Sequence, residues 1–243
     1  GTNNQCECES CRKMIPSDFY VQMLNAVDME LAARGLPTRI VFLIYVDLLW
    51  PPQTERIAHP ERFILMFAPI TRTYSKDFAV QDTATQIPPY VRNRLQFPAN
   101  VDENVAFLRQ WQKLFDGDSF DFDYHFMWDH YLDPSYMATA RLLSRDIKLL
   151  KAIDLQGFMS CQVQRAFFPT GLGMTVLGRT LWDEQATFEE IAADYFQSAY
   201  GDDGALVQGY LQQLSALFDP PYLRGEKPQL SAEAAQRFAR IPD

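Results

Sequence analysis

The segment Tyr124-His125-Phe126-Met127-Trp128-Asp129-His130-Tyr131 gathers an acid, two of the chain's three histidines and several large rings. An acid beside an imidazole can move a proton, and an indole face can lie against a sugar ring. Glycoside hydrolysis uses two carboxyl groups, one protonating the leaving oxygen and one acting as base or nucleophile. Asp129 has that company, and Asp47 stands in a similar place, just past an apolar run and shortly before Trp50. Asp129 and Asp47 are therefore the candidate acid pair, with Trp128, His130, His125 and Trp50 as candidate substrate contacts. Asp123 lies within the strand run of residues 120–127 and is left out of the pair. The competing structural reading makes each Asp a loop cap or a surface charge, and the aromatic segment a buried strand with a satisfied histidine.

Arg72, Gln164 and Arg165 follow other apolar runs. Amides suit sugar hydroxyls, and a guanidinium suits a uronate carboxylate through bidentate pairing. Each arginine serves equally well in a structural salt bridge. A third group is Cys6-Glu7-Cys8-Glu9-Ser10-Cys11. Three thiols so close together can chelate Zn²⁺ as a structural ion, with Cys161 or a histidine as the fourth ligand. Zinc knuckles pair Cys-x-x-Cys units, and only Cys8 and Cys11 have that spacing, so a disulfide and free thiols stay open as well.

These residues must be positioned by secondary structure. Residues 40–45 and 63–68 are short, continuous, β-rich apolar runs, as expected of strands in a parallel sheet. Residues 120–127 and 157–161 read as two more strands. Between them the spacing of Phe19, Met23, Val27 and Leu31 predicts a helix capped by Ser17 and stopped at Gly35-Leu36-Pro37. Asp102 is placed as the cap of a helix carrying Leu108, Trp111 and Phe115. Asp133-Pro134 marks another helix start, and Thr187-Phe188-Glu189-Glu190 matches a capping box. Residues 75–100 read as a long loop, a kind of segment that often carries function. Trp182-Asp183-Glu184 is placed at a packed helix end, and residues 231–240 in a last helix.

Alternating strands and helices point to an α/β fold with a parallel sheet. A complete (β/α)8 barrel needs eight strands, and four are legible. The expectation is a TIM-barrel-like fold represented by its later strands: residues 1–170 form the barrel portion with its cysteine-rich loop, and residues 171–243 a helical extension on the same domain. A smaller open sheet with a helical annex is the alternative. The chain opens Gly1-Thr2-Asn3 without Met, which points to a piece of a larger parent protein.

The bulk properties narrow the partners. With 243 residues, 47% of them hydrophobic, the chain can bury a substantial core. Its formal net charge of -9, without a basic run, argues against nucleic acid as partner. No apolar stretch of about 18 residues is present to span a bilayer. Glycine-rich phosphate loops, His-Glu-x-x-His and Gly-x-Ser-x-Gly are absent. The compartment stays open between bacterial cytoplasm, periplasm and the exterior.

The cysteine motif, Ser17-Asp18-Phe19-Tyr20 and the strand ending at Tyr45 resemble a bacterial domain of unknown function. That domain occurs in large proteins of carbohydrate-utilisation loci, often behind an α-glucuronidase-like N-terminal domain. Tyr124 to His130, Gly157 to Pro169, Leu181-Trp182-Asp183, and Asp194-Tyr195-Phe196 through Tyr200-Gly201 extend the likeness over nearly the whole chain. The resemblance implies a glycoside-hydrolase-like barrel that acts on or binds oligosaccharide or polysaccharide, including material that carries uronic acid. It requires no cofactor. In related barrels the principal acid follows the fourth strand, which would fall at or before residue 1. A non-catalytic binding or structural portion is the alternative function.

Overall fold

A computed structural model describes residues 4–127 and 131–226. Trp128, Asp129 and His130, and the helix expected over residues 231–240, therefore lie outside the described residues. Four strands, β1 (Ile40–Ile44), β2 (Phe63–Phe67), β3 (Ser119–Phe126) and β4 (Phe158–Gln162), form one sheet in the order β1-β2-β3-β4. All four expected strands are present, and the sheet is parallel. Ile40 pairs with Phe63 and Ile44 with Phe67, while Leu65 pairs with Ser119 and Phe67 with Asp121. The protein is an α/β fold with a four-stranded parallel sheet. Within the described residues no helix is long and apolar enough to cross a membrane.

The chain divides into two compact units. The first comprises residues 1–73, 78–123 and 149–160; the second comprises 74–77, 124–148 and 161–243. The helices late in the chain share a unit with residues 124–148. β3 itself passes from the first unit into the second.

In the first unit, helix α2 (Pro16–Ala33) starts with Pro16 at its first position and Ile15 as N-cap. Ser17, the expected cap, is instead buried, and its hydroxyl donates to the Trp50 carbonyl. Proline explains the shift: its fixed φ suits a first helical position and its missing N–H needs no cap. Tyr20 on α2 accepts a hydrogen bond from the Leu43 amide at 3.1 Å, which covers one backbone donor on the edge strand β1. Helix α3 (Val101–Gln112) is capped by Asn100, whose side chain accepts from the Glu103 amide at 2.9 Å. Asp102, the expected cap, accepts from the Gln81 amide instead, at 2.7 Å. The core is aromatic: Phe42 meets Phe115 edge-on at 5.0 Å and lies 5.7 Å from Trp111. Rings in such geometry add to the free energy of burial. No helix or strand intervenes between β2 and α3 apart from turns, as the sequence of residues 75–100 leads one to expect.

In the second unit, helices α4 (Met137–Leu149), α5 (Leu172–Trp182), α6 (Phe188–Tyr200) and α7 (Gly204–Phe218) surround a core of Met137, Leu172, Val176, Ile191 and Phe196. Thr187 and Glu190 form the expected capping box on α6. Asp133 does not start a helix directly. It reaches forward, accepting from the Thr139 amide at 2.8 Å, from Ser135 and from Ser215 of α7. A buried carboxylate with this many donors is compensated for its lost water. Trp182 was expected to pack; its side chain is instead 92% exposed at the end of α5.

Candidate functional site

In parallel α/β folds the residues beyond the carboxyl ends of strands are the ones free to do chemistry. In the first unit, Asp47 follows β1 in a 3₁₀ turn and is partly buried. Its Oδ2 accepts from the Gln5 side-chain amide at 3.3 Å. The Tyr90 hydroxyl donates to the same amide's oxygen. Burial pushes the Tyr90 phenol pKa up, and the neighbouring Asp47 adds to that against the pull of Arg92. Trp50 is only 2% exposed; its ring packs edge-on against Phe107 at 4.9 Å and its Nε1 donates to the Pro88 carbonyl. The structure thus puts Trp50 in the core, with no face presented to solvent.

Arg72 lies beyond β2, and its guanidinium is fully buried. It forms an ion pair with Asp123 at 2.9 Å and lies 4.0 Å from the centre of the Phe78 ring. Asp123 stands two residues past the last β3 residue paired with β2, which brings it within reach of the loop holding Arg72. Its place within the strand run conceals this from sequence reading. One face of β3 is both polar and fully buried: Asp121, Asp123 and His125 are all 0% exposed.

In the second unit His125 Nε2 lies 2.7 Å from Asp146 Oδ2 of α4, with both side chains fully buried. The Tyr74 ring stands edge-on to His125 at 5.1 Å, and its hydroxyl accepts from the Tyr124 amide. His125 is therefore a buried, paired histidine in this structure. Neither Asp146 nor Tyr74 has a sequence signal, since one sits in a helix and the other in an irregular loop.

The exposed chemistry of the second unit follows β4. Gln162, Gln164 and Arg165 are exposed there. Arg165 donates to the Tyr131 hydroxyl at 2.9 Å, and its guanidinium carbon lies 5.6 Å from the Tyr131 ring centre. Tyr131, Phe167 and Phe168 are 62%, 64% and 68% exposed. Exposed rings that are close in sequence to an exposed guanidinium and two exposed amides are residue types suited to a ligand with both apolar and polar faces. The two phenylalanines were missed in the sequence because an apolar pair reads as core. The three residues immediately before Tyr131, including Asp129, are outside the described residues.

The cysteine loop belongs to the first unit. One sulfur each from Cys6, Cys8 and Cys11 lies within 4.8 Å of the other two. Cys6 and Cys8 are exposed. Hydrogen bonds from the Cys11 backbone and from the other thiols lower the Cys8 pKa to about 7. Side-chain hydrogen bonds with Cys8 and Cys6 push Cys11 up to about 11. The loop is tied down from one side by Arg92, which donates to the carbonyls of Cys6 at 3.1 Å and of Cys11 and Met14 at 2.6 Å. A cleft of about 590 Å³ opens beside it, lined by Arg12, Lys13, Tyr90 and Arg92 among others.

No family model, curated protein or solved structure matches the chain.

Proposed function

We propose that the protein is a carbohydrate-active domain of a glycoside-hydrolase-like, TIM-barrel-type fold, part of a larger parent chain, that engages an oligosaccharide or polysaccharide containing uronic acid. The observation that carries this reading is the strand-end surface after β4. There Arg165 is held against the ring and hydroxyl of Tyr131, with Phe167 and Phe168 exposed next in sequence. Sugar rings offer C–H faces to aromatic side chains, and a uronate carboxylate offers the bidentate partner that a guanidinium prefers. The four-stranded parallel sheet and the position of Asp47 beyond β1 support the barrel part of the reading. Gln164 supplies an exposed amide for hydroxyls. Trp128, Asp129 and His130 immediately precede Tyr131 in sequence, so the same reading gives them contact roles, with Asp129 as the acid. The Cys6, Cys8 and Cys11 cluster is a structural zinc position in this reading, and the chemistry at the sugar requires no cofactor.

A second reading, a binding module without hydrolysis, is favoured by one observation. Two carboxylates near the end of β3 and on α4 are closed off in buried pairs, Asp123 with Arg72 and Asp146 with His125. Hydrolysis needs two carboxyl groups facing each other across about 5–10 Å. A panel of oligosaccharides and aryl glycosides separates the readings. Saccharide binding that falls roughly tenfold in Tyr131→Ala, the loss typical of an anchoring tyrosine, supports a carbohydrate site. Hydrolysis abolished by Asp129→Asn supports the enzyme. Wild-type protein that binds no member of the panel refutes both.

A further inference from the structure

The cysteine loop and the end of β1 are joined by one residue, Gln5. Its backbone is gripped on both sides by Asn93: the Gln5 amide donates to Asn93 Oδ1 at 2.7 Å, and Asn93 Nδ2 donates to the Gln5 carbonyl at 3.1 Å. Asn93 adopts a left-handed backbone, φ 58°, a conformation asparagine tolerates better than most residues. Its Nδ2 also meets Glu7 at 2.8 Å. The Gln5 side chain then spans Asp47 and Tyr90, donating to the first and accepting from the second. The residue directly after Gln5 is the first thiol of the cluster.

Apolar burial does little to hold this loop. The short helix α1 (Glu9–Arg12) has no buried residue, and Cys6 and Cys8 are exposed. Polar contacts from Asn93 and Arg92 hold the loop instead. Zn²⁺ takes thiolate at about 2.3 Å in a tetrahedron, which sets sulfurs roughly 3.8 Å apart. The observed separations, all within 4.8 Å, require at most about 1 Å of closure. Three thiolates around a divalent ion carry one net negative charge. The Arg92 guanidinium, bonded to the Cys6 and Cys11 carbonyls, stands beside that charge. Among the described residues the cluster comprises these three thiols.

We infer that a thiophilic divalent cation on Cys6, Cys8 and Cys11 fixes Gln5 against Asp47 and Tyr90, so that metal occupancy sets the placement of the carboxylate beyond β1. This rests on the zinc reading of the cluster given above and is independent of which saccharide, if any, is bound. Gln5 is a positioning residue: it touches Asp47, and the metal acts on Asp47 only through it. Binding free energy at a metal site that orders its own loop appears as folding free energy of that loop.

The test uses the full chain stripped of metal and titrated with Co²⁺ or Zn²⁺ alone. Co²⁺ is expected to bind at one equivalent with intense sulfur-to-cobalt absorption. Cys8→Ser should weaken binding by at least about tenfold, the lower limit for disturbing even the outer shell of a site. The side-chain amide resonances of Gln5, assigned by their loss in Gln5→Ala, report the coupling. On adding one equivalent of Zn²⁺ they should move from a freely exchanging position to a protected one, and Asp47→Asn should shift them again in the loaded protein. The inference is overturned if metal binds with the thiolate signature and the Gln5 amide does not respond. It is equally overturned if Co²⁺ binds the wild type no better than Cys8→Ser. Neither readout involves a saccharide, so a failure here leaves the carbohydrate reading standing, and a failed saccharide panel leaves both readouts unmoved.

Discussion

Replacing Arg72 by Leu tests whether the arginine beyond β2 serves the fold or a ligand. Its side chain and that of Asp123 are both 0% exposed and meet at 2.9 Å. Removing one member of such a pair takes a buried charge away from this ion-pair contact, at a cost of about 3–5 kcal/mol. The guanidinium also lies over Phe78 at 4.0 Å, a contact that leucine replaces only as apolar bulk. With a urea dependence of about 2–3 kcal/mol per molar, the midpoint of the transition in which the first unit unfolds should fall by about 1–2.5 M. The double variant Arg72→Leu/Asp123→Leu removes both charges. Apolar replacement of a whole buried pair is often close to neutral, so the double variant should recover most of the loss. Urea unfolding followed by tryptophan fluorescence and far-UV circular dichroism reads the wild type, the two single variants Arg72→Leu and Asp123→Leu, and the double variant. If Arg72→Leu loses less than about 1 kcal/mol, the charge is not held as the structure shows. If the double variant falls by the sum of the two single losses, the two residues are not coupled. Either result would return Arg72 to the ligand-contact role expected from sequence.

Two further outcomes follow from particular contacts. The Asp28 carboxyl is buried, which alone would raise its pKa, but Arg62 at 2.6 Å and His59 at 2.8 Å outweigh that and hold it below the ordinary value. A folded-state value depressed in this way contributes stability that is complete above the unfolded carboxylate pKa, about 3.9. That stability is lost as pH falls through the folded value. Asp28→Asn should therefore destabilise the protein at pH 7 and flatten its acid limb below about pH 4, as read by thermal melts across pH; an unchanged acid limb would contradict the pairing. Gly204 begins α7 where an added Cβ would lie 2.6 Å from the Phe196 carbonyl oxygen on α6. Backbone cannot yield as a flexible side chain can, so Gly204→Ala should cost about 1–3 kcal/mol, measured as a lowered melting temperature, whereas Gly178→Ala, with nothing near its Cβ, should cost none.

Much of the sheet was legible in the sequence because β1 and β2 are short unbroken apolar runs, a signal that survives without knowledge of neighbours. The capping box at Thr187 was legible for a similar reason, being confined to four consecutive residues. Caps chosen by tertiary geometry were not. Ser17 and Asp102 have the right chemistry for N-caps, yet Trp50 and Gln81 supply them with other partners from far along the chain. The site divided in the same way. Gln164 and Arg165 were picked out by type and by place after β4, and they are exposed there. Trp50 was picked out by type alone, and its ring faces inward. Asp123, Asp146 and Tyr74 were passed over, since a buried partner is defined by another element, and no spacing in the chain encodes it. Gln5 was invisible for the same reason: an amide before a cysteine has no meaning until Asp47 and Tyr90 close around it.

The carbohydrate reading depends most on Arg165 as the group that meets a uronate carboxylate. Calorimetric titration of matched oligosaccharides, one with a uronic acid and one with the neutral sugar in its place, tests it directly on the wild type and on Arg165→Gln. A charge-assisted hydrogen bond contributes about 1.5–3 kcal/mol, so the wild type should prefer the uronate by roughly 10- to 100-fold, and Arg165→Gln should erase that preference while leaving the neutral sugar bound as before. Equal affinity of the wild type for the two sugars, or a preference that survives in Arg165→Gln, would contradict it.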